Sequence, residues 1–475
     1  MPRMIVVILV VAEAGSILAA DVKTGLDRIG QYERVFEGKR IGIIANQTSQ
    51  DARGRFIVEV FNGLPHAKVA ALFAPEHGLW GTEPAGEQVR SSTHPIYHIP
   101  VYSLYGRTQK PTPLMLAGVD VLAFDIQDIG ARFYTYIWTM ALAMEAAAEA
   151  GKPFVVLDRP NPITGTRVQG PCLDPAFASF MGLYPIPVVH GLTIGELARL
   201  FNEEGWMAGG IKADLTVIPM EGWRRDMWFD QTGLTFVRPS PNIPDLETAA
   251  VYPGLALLEG TNVSEGRGTA SPFRQFGAPW IDSQQLADRL NGLSLPGLRF
   301  EPTTFTPTSS KYKDQPCHGV RLKVTDRNQF DPFYSGVRIV REVWLMVPDR
   351  FQWEAGHFDR LCGTDAVRKA VTEQRDLASL RRIWDEQVKA FIEIRKKYLM
   401  YSDALARRAK SAKSTCPSWL RSQPPYPTVS SHLRSKSSHE PILALELGPF
   451  LYPCPLSTPP FLPWQAGSSS ESSGG

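Results

Sequence analysis

The chain has 475 residues, of which 43% are hydrophobic, and its 50 basic and 48 acidic side chains give a formal net charge of +2. This length favours two folded domains with appendages over a single domain. The near balance of charge gives no electrostatic basis for binding nucleic acid or an anionic membrane surface, so we expect no nucleic-acid partner.

The first twenty residues have the pattern of a signal peptide. Arg3 precedes an apolar stretch over residues 4–12, and small residues follow up to Ala20. We therefore predict cleavage near Ala20 and a mature protein that is periplasmic or extracellular. The apolar runs of the sequence are shorter than the ~20 residues that a membrane-spanning helix needs, so we expect no integral membrane segment.

Strands and helices alternate between residues 38 and 219. Apolar runs of strand length occur at residues 40–45, 68–74, 119–124 and 153–157, and helical spacing occurs at residues 56–61, 136–150 and 197–202. The last of these helices follows a capping box over residues 193–196. Strands separated by helices require right-handed crossovers, so we predict an α/β fold with a doubly wound, mostly parallel sheet.

The sequence lacks the usual patterns for a cofactor. No G-x-G-x-x-G follows the first strand, and no G-x-x-x-x-G-K-[ST] occurs. The five cysteines include no C-x-x-C pair, so neither a zinc site nor a redox motif is indicated. We therefore predict a doubly wound sheet that is used without a cofactor.

The pattern changes after about residue 239. Prolines at positions 239, 241 and 244 indicate an extended connector, and a polar, glycine-rich loop occupies residues 259–269. Strands at residues 298–305 and 320–324, with helices at residues 337–347 and 377–398, predict a second, smaller α+β domain. The predicted boundaries are 1–20 for the signal peptide, 21–238 and 239–401 for the two domains, and 402–475 for a Pro/Ser-rich tail that we expect to be disordered.

Carboxylates follow three of the predicted strands. In a doubly wound sheet the loops after neighbouring strands converge on one crevice. When several carboxylates share a partly dry crevice, their pKa values differ, so that one stays protonated while another is ionised. Cleavage of a glycosidic bond uses such a protonated acid together with an ionised partner. The candidate catalytic residues are Glu76, His77, Asp125 and Asp128; Asp158 follows the next strand, and Arg132 and Asn161 lie beside these strand ends.

Other interpretations of these residues stay open. Asp158 could pair with Arg159 at the surface, Asp125 could cap a helix, and Glu265 could pair with Arg267 within its loop. Tyr134, Tyr136 and Trp138 could form a platform for a sugar ring or simply one face of an element. A metal site of His77, Asp125 and Asp128 would suit a metal-assisted hydrolase or deacetylase of cell-wall sugars. The sequence has no G-x-S-x-G of a serine hydrolase and no H-E-x-x-H.

Six long motifs resemble one known family. They are LFAPEHGLWGTEPAGEQV, VDVLAFDIQDIGARFYTYIWTM, VLDRPNPITG, PIPVVHGLTIGELARLFNEE, FVRPSPNIP and YPGLALLEGTNVSEGRGTASPFRQFGAPW. These strings are similar to those of the NamZ-type exo-β-N-acetylmuramidases, glycoside hydrolase family 171, formerly a bacterial domain of unknown function. The resemblance runs from about residue 22 to residue 401, and the tail after it departs from the family.

The resemblance implies a Rossmann-like N-terminal domain, a smaller C-terminal domain and an active site in the cleft between them. It implies removal of N-acetylmuramic acid from the non-reducing end of peptidoglycan-derived saccharides, with Glu76 of the P-E-H-G motif as the catalytic glutamate. The candidate substrate-binding residues stand in the same motifs: Arg132, Tyr134, Asn161, Glu265 and Arg267. Either arginine would suit the lactyl carboxylate of muramic acid. A non-catalytic muropeptide-binding protein remains the rival, and the oligomeric state is not predicted.

Overall fold

The computed structural model describes residues 22–402. The predicted signal peptide, and the predicted tail apart from its first residue, lie outside the described residues. None of the helices within residues 22–402 is long and apolar enough to cross a membrane.

The described chain alternates strands and helices over its first half. The strands are β1 (Arg40–Ala45), β2 (Lys68–Ala74), β3 (Ser92–Thr93), β4 (Pro100–Ser103), β5 (Val121–Asp125), β6 (Phe154–Leu157), β7 (Gln169–Cys172), β8 (Pro187–Val189), β9 (Leu215–Ile218), β10 (Gln275–Ala278), β11 (Leu298–Phe305) and β12 (Cys317–Val324). The α-helices are α1 (Ile57–Asn62), α2 (Pro113–Leu116), α3 (Tyr136–Glu149), α4 (Ile194–Glu203), α5 (Leu246–Leu255), α6 (Ser283–Gly292), α7 (Pro332–Met346), α8 (Ala355–Cys362), α9 (Ala366–Thr372) and α10 (Leu377–Arg395). Short 3-10 helices occupy Leu26–Val35, Pro175–Phe177, Ala208–Gly210, Phe229–Gln231, Ala256–Gly260 and Lys396–Tyr398.

Seven strands of the described chain form the central sheet, in the order β3-β4-β2-β1-β5-β6-β9. Its neighbouring strands are parallel except for the short edge pair β3–β4. After β1 the chain adds β2, β3 and β4 on one side of β1, and it then crosses back to add β5, β6 and β9 on the other side. The switch point, where such sheets usually bind ligands, therefore lies between the carboxyl ends of β1 and β5.

Both faces of this sheet are covered, which explains why its central strands are continuous apolar runs. Ile41 and Ile43 pack with α1 and with the 3-10 helix Leu26–Val35 on one face. Ile44 and Phe124 pack with α3 and α4 on the opposite face, and this core continues into the second half of the chain. The predicted doubly wound α/β fold is confirmed.

The second half is smaller and contains an antiparallel sheet in the order β10-β12-β11. Its helices α5, α6 and α7 each follow an aspartate whose carboxylate accepts a hydrogen bond from the first turn. The predicted α+β character of this part is confirmed. The domain boundaries at residues 238 and 401 stay a prediction. The sequence patterns did not indicate β3, β4 or β9, the strands towards the two edges of the central sheet.

Candidate active site

Glu76 follows β2 in a turn with unusual backbone geometry. His77 and Gly78 both have positive φ, at +69° and +75°, and a residue other than glycine rarely adopts this conformation. The Glu76 carboxylate is held from two sides, since Oε2 accepts from Thr135 Oγ1 at 2.7 Å and Oε1 accepts from Gly86 N at 3.1 Å. The turn therefore presents Glu76 in one fixed direction.

Thr135 also supports Glu76 through its position at the start of α3. It occupies the N-cap position of α3, but its hydroxyl donates to Glu76 instead of capping the helix. The N-terminal end of a helix carries partial positive charge. The start of α3 therefore stabilises negative charge on Glu76.

His77 lies buried beside Glu76, with 5% of its surface exposed. Its Nδ1 lies 2.7 Å from the carbonyl oxygen of Glu83. A carbonyl can only accept, so the proton is on Nδ1 and Nε2 keeps its lone pair. Burial lowers the pKa of His77; the charge of Glu76 and the Glu83 carbonyl oppose this shift, and Arg267 adds to it. The imidazole is therefore neutral at physiological pH and offers Nε2 as an acceptor.

Glu76 and His77 open onto a cavity of about 800 Å³. Its walls come from both halves of the chain. The first half contributes Glu76, His77, Thr82, residues 84–87, Tyr105, residues 133–135 and Met181. The second half contributes residues 240–243, Tyr252, Glu259, Glu265, Arg267, Phe273, residues 309–311, His357 and Leu361.

Charged side chains form a network on the second-half wall of this cavity. Arg267 pairs with Glu259 at 2.9 Å and with Glu265 at 3.1 Å, so the predicted pair within the loop is present. Lys311 Nζ lies 3.1 Å from Glu265, and His357 Nε2 lies 3.6 Å from Glu259. Burial opposes ionisation of Glu259, but Arg267 and His357 outweigh it and lower the pKa of Glu259 to about 2. The wall therefore carries fixed charges of both signs.

The aromatic residues divide between the cavity and the core. Tyr134 lines the cavity and packs edge-on against Tyr136 and Tyr252, with ring centroids 4.8 Å and 5.9 Å away. Trp138 is fully buried and stacks on Phe201 at 5.5 Å. Tyr134, Tyr136 and Trp138 were considered as a platform for a sugar ring, and of these three Tyr134 lines the cavity.

Asp125 lies away from the cavity, at the carboxyl end of β5. It is fully buried and forms a bidentate ion pair with Arg159, whose Nε and Nη2 lie 2.5 Å and 2.7 Å from its two oxygens. This pair occupies the switch-point crevice, where a pocket of only about 90 Å³ remains. The prediction that all the strand-end carboxylates meet in one crevice is therefore wrong for Asp125, because its charge is matched by Arg159.

Asp128 and Asn161 also lie outside the cavity lining. Asp128 Oδ2 accepts from Gly130 N at 2.8 Å and lies 3.3 Å from His190 Nε2. Asn161 accepts from Ile163 N at 3.1 Å and donates to the Leu192 carbonyl at 3.0 Å. Both side chains hold the loops after β5 and β6 in shape.

Arg132 is fully buried, and its guanidinium is enclosed by protein rather than open to the cavity. It donates to the carbonyls of Pro171, Ile186 and Leu361 at 2.9 to 3.1 Å. Burial lowers the pKa of Arg132 to about 10, which leaves it charged at neutral pH. The predicted contact between Arg132 and a substrate is absent from this geometry, and Arg132 instead holds the end of α8, whose Leu361 lines the cavity.

Asp158 is another buried strand-end carboxylate. It accepts from Gly195 N at 2.7 Å, from Thr193 Oγ1 at 2.8 Å and from Tyr401 Oη at 2.5 Å. The suggested surface pair of Asp158 with Arg159 is wrong, since Arg159 pairs with Asp125. Burial raises the pKa of Asp158 to about 7.

Several cavity residues were missed from the sequence: Thr135, Glu259, Lys311, His357 and Tyr105, whose pKa is raised by burial and by the nearby Glu76 carboxylate. Thr135 and Glu259 lie inside recognisable motifs, so their positions could have been considered. Lys311 and His357 are far from those motifs in the chain, and only folding brings them to the cavity. Within the described chain, no group of three or more His, Cys, Asp or Glu side chains is placed to hold a metal ion.

The fold and the cavity define a class of two-part α/β proteins with a carboxylate-lined cavity between the parts. The family model described as the N-terminal part of exo-β-N-acetylmuramidase NamZ matches residues 41–247, and the model of its C-terminal part matches residues 250–401. The chain belongs to this family, which confirms the resemblance found in the motifs.

Individual relatives agree with this assignment. The peptidoglycan β-N-acetylmuramidase NamZ of Bacillus subtilis (strain 168) is 48% identical over 382 residues, which cover 80% of this chain and 91% of the relative. A crystal structure of a DUF1343 family protein from Bacteroides fragilis NCTC 9343 matches with a TM-score of 0.75 and 36% identity, over 80% of this chain and 99% of that one. A second DUF1343 structure from the same organism has a TM-score of 0.67 and 32% identity, over 81% of this chain and 100% of its own.

We expect Asp125→Asn to lower stability and not to remove a catalytic group, because it leaves Arg159 buried without its counter-charge. The free energy of unfolding in urea should fall by about 3–5 kcal/mol, while the folded fraction keeps its turnover. The matched control is Asp120→Asn, which breaks the exposed pair with Arg40 and should cost ~1 kcal/mol or less. Unchanged stability with lost turnover would instead support a catalytic Asp125.

Asp158 should make stability depend on pH. The folded pKa is about 7 and the ordinary value is 3.8. The contribution of Asp158 is therefore fully present below pH 3.8 and is lost as the pH rises to about 7, at about 1.4 kcal/mol per pH unit. We expect Asp158→Asn to remove this part of the slope when urea unfolding is measured from about pH 5 to about pH 7. Equal slopes in the two proteins would contradict the assignment.

Proposed function

We propose that this protein is an exo-β-N-acetylmuramidase that hydrolyses the terminal, non-reducing N-acetylmuramic acid from peptidoglycan fragments during cell-wall turnover. Membership of the NamZ family supports the reaction class, and the B. subtilis relative carries that activity in its name. The main structural support is the position of Glu76. Two hydrogen-bond donors hold its carboxylate at the wall of a cavity large enough for a saccharide.

Glu76 acts as the general acid in this proposal. Its carboxyl proton passes to the glycosidic oxygen as the bond from that oxygen to the sugar C1 breaks. Water gives its hydroxyl to C1, and the proton that this water releases regenerates the Glu76 carboxyl at the end of the cycle. The Thr135 hydroxyl, the Gly86 amide and the start of α3 then stabilise the carboxylate that remains. His77 keeps a lone pair on Nε2 beside this group and can hold a water or a substrate hydroxyl.

Glu265 is the candidate for the second carboxylate. Of Asp125, Asp128 and Glu265, the three carboxylates besides Glu76 that could fill this role, Glu265 is the one that lines the cavity. Its oxygens lie 3.1 Å from Arg267 and from Lys311, so its negative charge is fixed in direction. Such a carboxylate can stabilise an oxocarbenium-like transition state, and the acetamido group of the substrate is the alternative.

The lactyl carboxylate of muramic acid would meet the charged wall. Arg267, Lys311 and His357 all line the cavity there. Arg267 and Lys311 already contact protein carboxylates, whereas His357 is more loosely placed, 3.6 Å from Glu259. We propose that this wall selects muramic acid by binding the lactyl carboxylate of the sugar. Arg267 is the residue of this wall that the sequence predicted for that contact.

We also propose that the protein is exported. The pattern of Arg3, the apolar residues 4–12 and the small residues up to Ala20 supports this. N-terminal sequencing of protein recovered from the periplasm or the medium should begin at Asp21, and Ala20→Arg should block cleavage because a large charged residue does not fit the small-residue cleavage site. Protein beginning at Met1 in the cytoplasmic fraction would contradict export.

Glu76→Gln should abolish most turnover, because glutamine keeps the shape of the side chain but cannot donate a carboxyl proton. We expect kcat to fall by about 10²–10⁴-fold on a disaccharide of N-acetylmuramic acid and N-acetylglucosamine. The loss should be smaller on a nitrophenyl N-acetylmuramide, whose leaving group needs less protonation. Glu59→Gln, on the surface of α1, is the control and should leave both rates unchanged.

Three other outcomes of this experiment are informative. Undiminished turnover by Glu76→Gln would remove the acid assignment. A wild-type protein that binds the disaccharide without turnover would favour the muropeptide-binding alternative. Loss of turnover with a chelator, restored by a divalent metal, would favour the metal-assisted hydrolase or deacetylase.

A further inference from the structure

We propose that Tyr105 is a positioning residue for Glu76, whose hydroxyl donates a hydrogen bond to the Glu76 carboxylate and stabilises the negative charge that forms there when the proton leaves. The proposal rests on the proposed function, since it concerns the acid step assigned to Glu76. It adds a third donor to the two that already hold this carboxylate, Thr135 Oγ1 and Gly86 N. Tyr105 lies between two of the long sequence motifs and belongs to neither.

The register of the central sheet places Tyr105 beside Glu76. β2 and β4 are parallel neighbours in which Ala74 pairs with Ser103, and Leu104 N continues the ladder by donating to the Ala74 carbonyl at 2.8 Å. Glu76 comes two residues after Ala74, and Tyr105 comes two residues after Ser103. Since neighbouring strands lie ~4.8 Å apart, the two residues follow the carboxyl ends of adjacent strands side by side. Both line the cavity.

The backbone and the ring of Tyr105 are both held in place. Ser103 Oγ accepts from Tyr105 N at 3.2 Å and donates to the Tyr105 carbonyl oxygen at 3.0 Å, which closes a small turn after β4. The Tyr105 ring packs against the ring of Phe180, with centroids 6.0 Å apart. The side chain is therefore supported at both ends of its reach, and its hydroxyl has a defined position at the cavity wall.

The Tyr105 hydroxyl interacts with the Glu76 carboxylate. Burial raises the pKa of Tyr105, and the charge of Glu76 and a hydrogen bond between the two side chains raise it further. The hydroxyl therefore keeps its proton at any pH at which a glycosidase works. An ionised carboxylate can only accept hydrogen bonds, so Tyr105 is the donor in this pair.

This donor matters most in the transition state of the acid step. Glu76 begins the step protonated and neutral, and its carboxyl group gains negative charge as the proton passes to the glycosidic oxygen. A hydrogen bond to an ionised acceptor is roughly twice as strong as one between neutral groups. The bond from Tyr105 therefore strengthens during the step, and interactions that strengthen in the transition state are those that raise kcat.

The test uses Tyr105→Phe, which keeps the ring and removes the hydroxyl. On the disaccharide of N-acetylmuramic acid and N-acetylglucosamine, kcat should fall about tenfold with KM nearly unchanged, because one donor to a developing charge is lost. On a nitrophenyl N-acetylmuramide the rate should be nearly unchanged, because that leaving group needs little protonation. Tyr102→Phe is the matched control: Tyr102 lies on the same strand, outside the cavity lining, with its ring 5.5 Å from Phe73, and it should change neither rate.

A double-mutant cycle tests whether Tyr105 acts through Glu76. The Glu76→Gln protein has no carboxylate to stabilise, so adding Tyr105→Phe to it should leave the residual turnover of the disaccharide unchanged. A further tenfold fall in that protein would overturn the proposal. So would an equal loss on both substrates, which would mean that Tyr105 only supports the cavity wall, and so would an unchanged kcat on the disaccharide.

Failure of the proposed function would be recognised separately, since the wild type would then hydrolyse neither substrate. In that case the wild type, the Tyr105→Phe and Glu76→Gln variants and the double variant would be unfolded in urea at neutral pH. If the hydroxyl and the carboxylate interact, the two shifts in the unfolding midpoint should not add. Additive shifts would overturn the contact between Tyr105 and Glu76.

Discussion

Asp125 and Arg159 form a buried, bidentate ion pair at the carboxyl ends of β5 and β6. The pair adjoins the switch point between β1 and β5, where an open α/β sheet ordinarily leaves its ligand crevice. Each charge satisfies the other, and Arg159 also donates to the Gln50 carbonyl. Only about 90 Å³ remains open there, too little for a nucleotide or a sugar. The pair therefore closes the usual site of this fold and leaves ligand binding to the carboxyl end of β2, the strand next to β1.

Because the cavity lies at the end of β2 and not at the switch point, the second half of the chain has to supply its opposite wall. The first half forms one wall of the cavity beside Glu76, with Tyr105 and Thr135 among its lining residues. The wall opposite comes from the segment 240–243 and from the network of Glu259, Arg267 and Glu265. Buried carboxylates are tolerated in such a wall because arginine and lysine compensate them. The site thus depends on packing between the halves as much as on the sheet.

The strands and helices of the first half were predictable because apolar runs and helical periods lie within short stretches of sequence. The capping box at Thr193, for example, occurs as predicted, with both reciprocal hydrogen bonds present. Glu76 was predictable as well, since its place after β2 and its motif are local features. The edge strands were missed because they are short and their apolar faces are set by neighbours. The roles of Asp125 and Arg132 could not be predicted, because their partners are 34 to 229 residues away in the chain.

The sequence by itself determined the α/β fold, the family and the position of Glu76 at a strand end, since each of these is encoded in local patterns or in long motifs. The tertiary structure decided which polar residues share one cavity. Burial and charge pairing act between residues that are distant in the chain, so they sorted the strand-end carboxylates into Glu76 at the cavity and Asp125 and Asp158 in the core. Lys311 and His357 reach the cavity wall for the same reason, although no sequence motif indicates them.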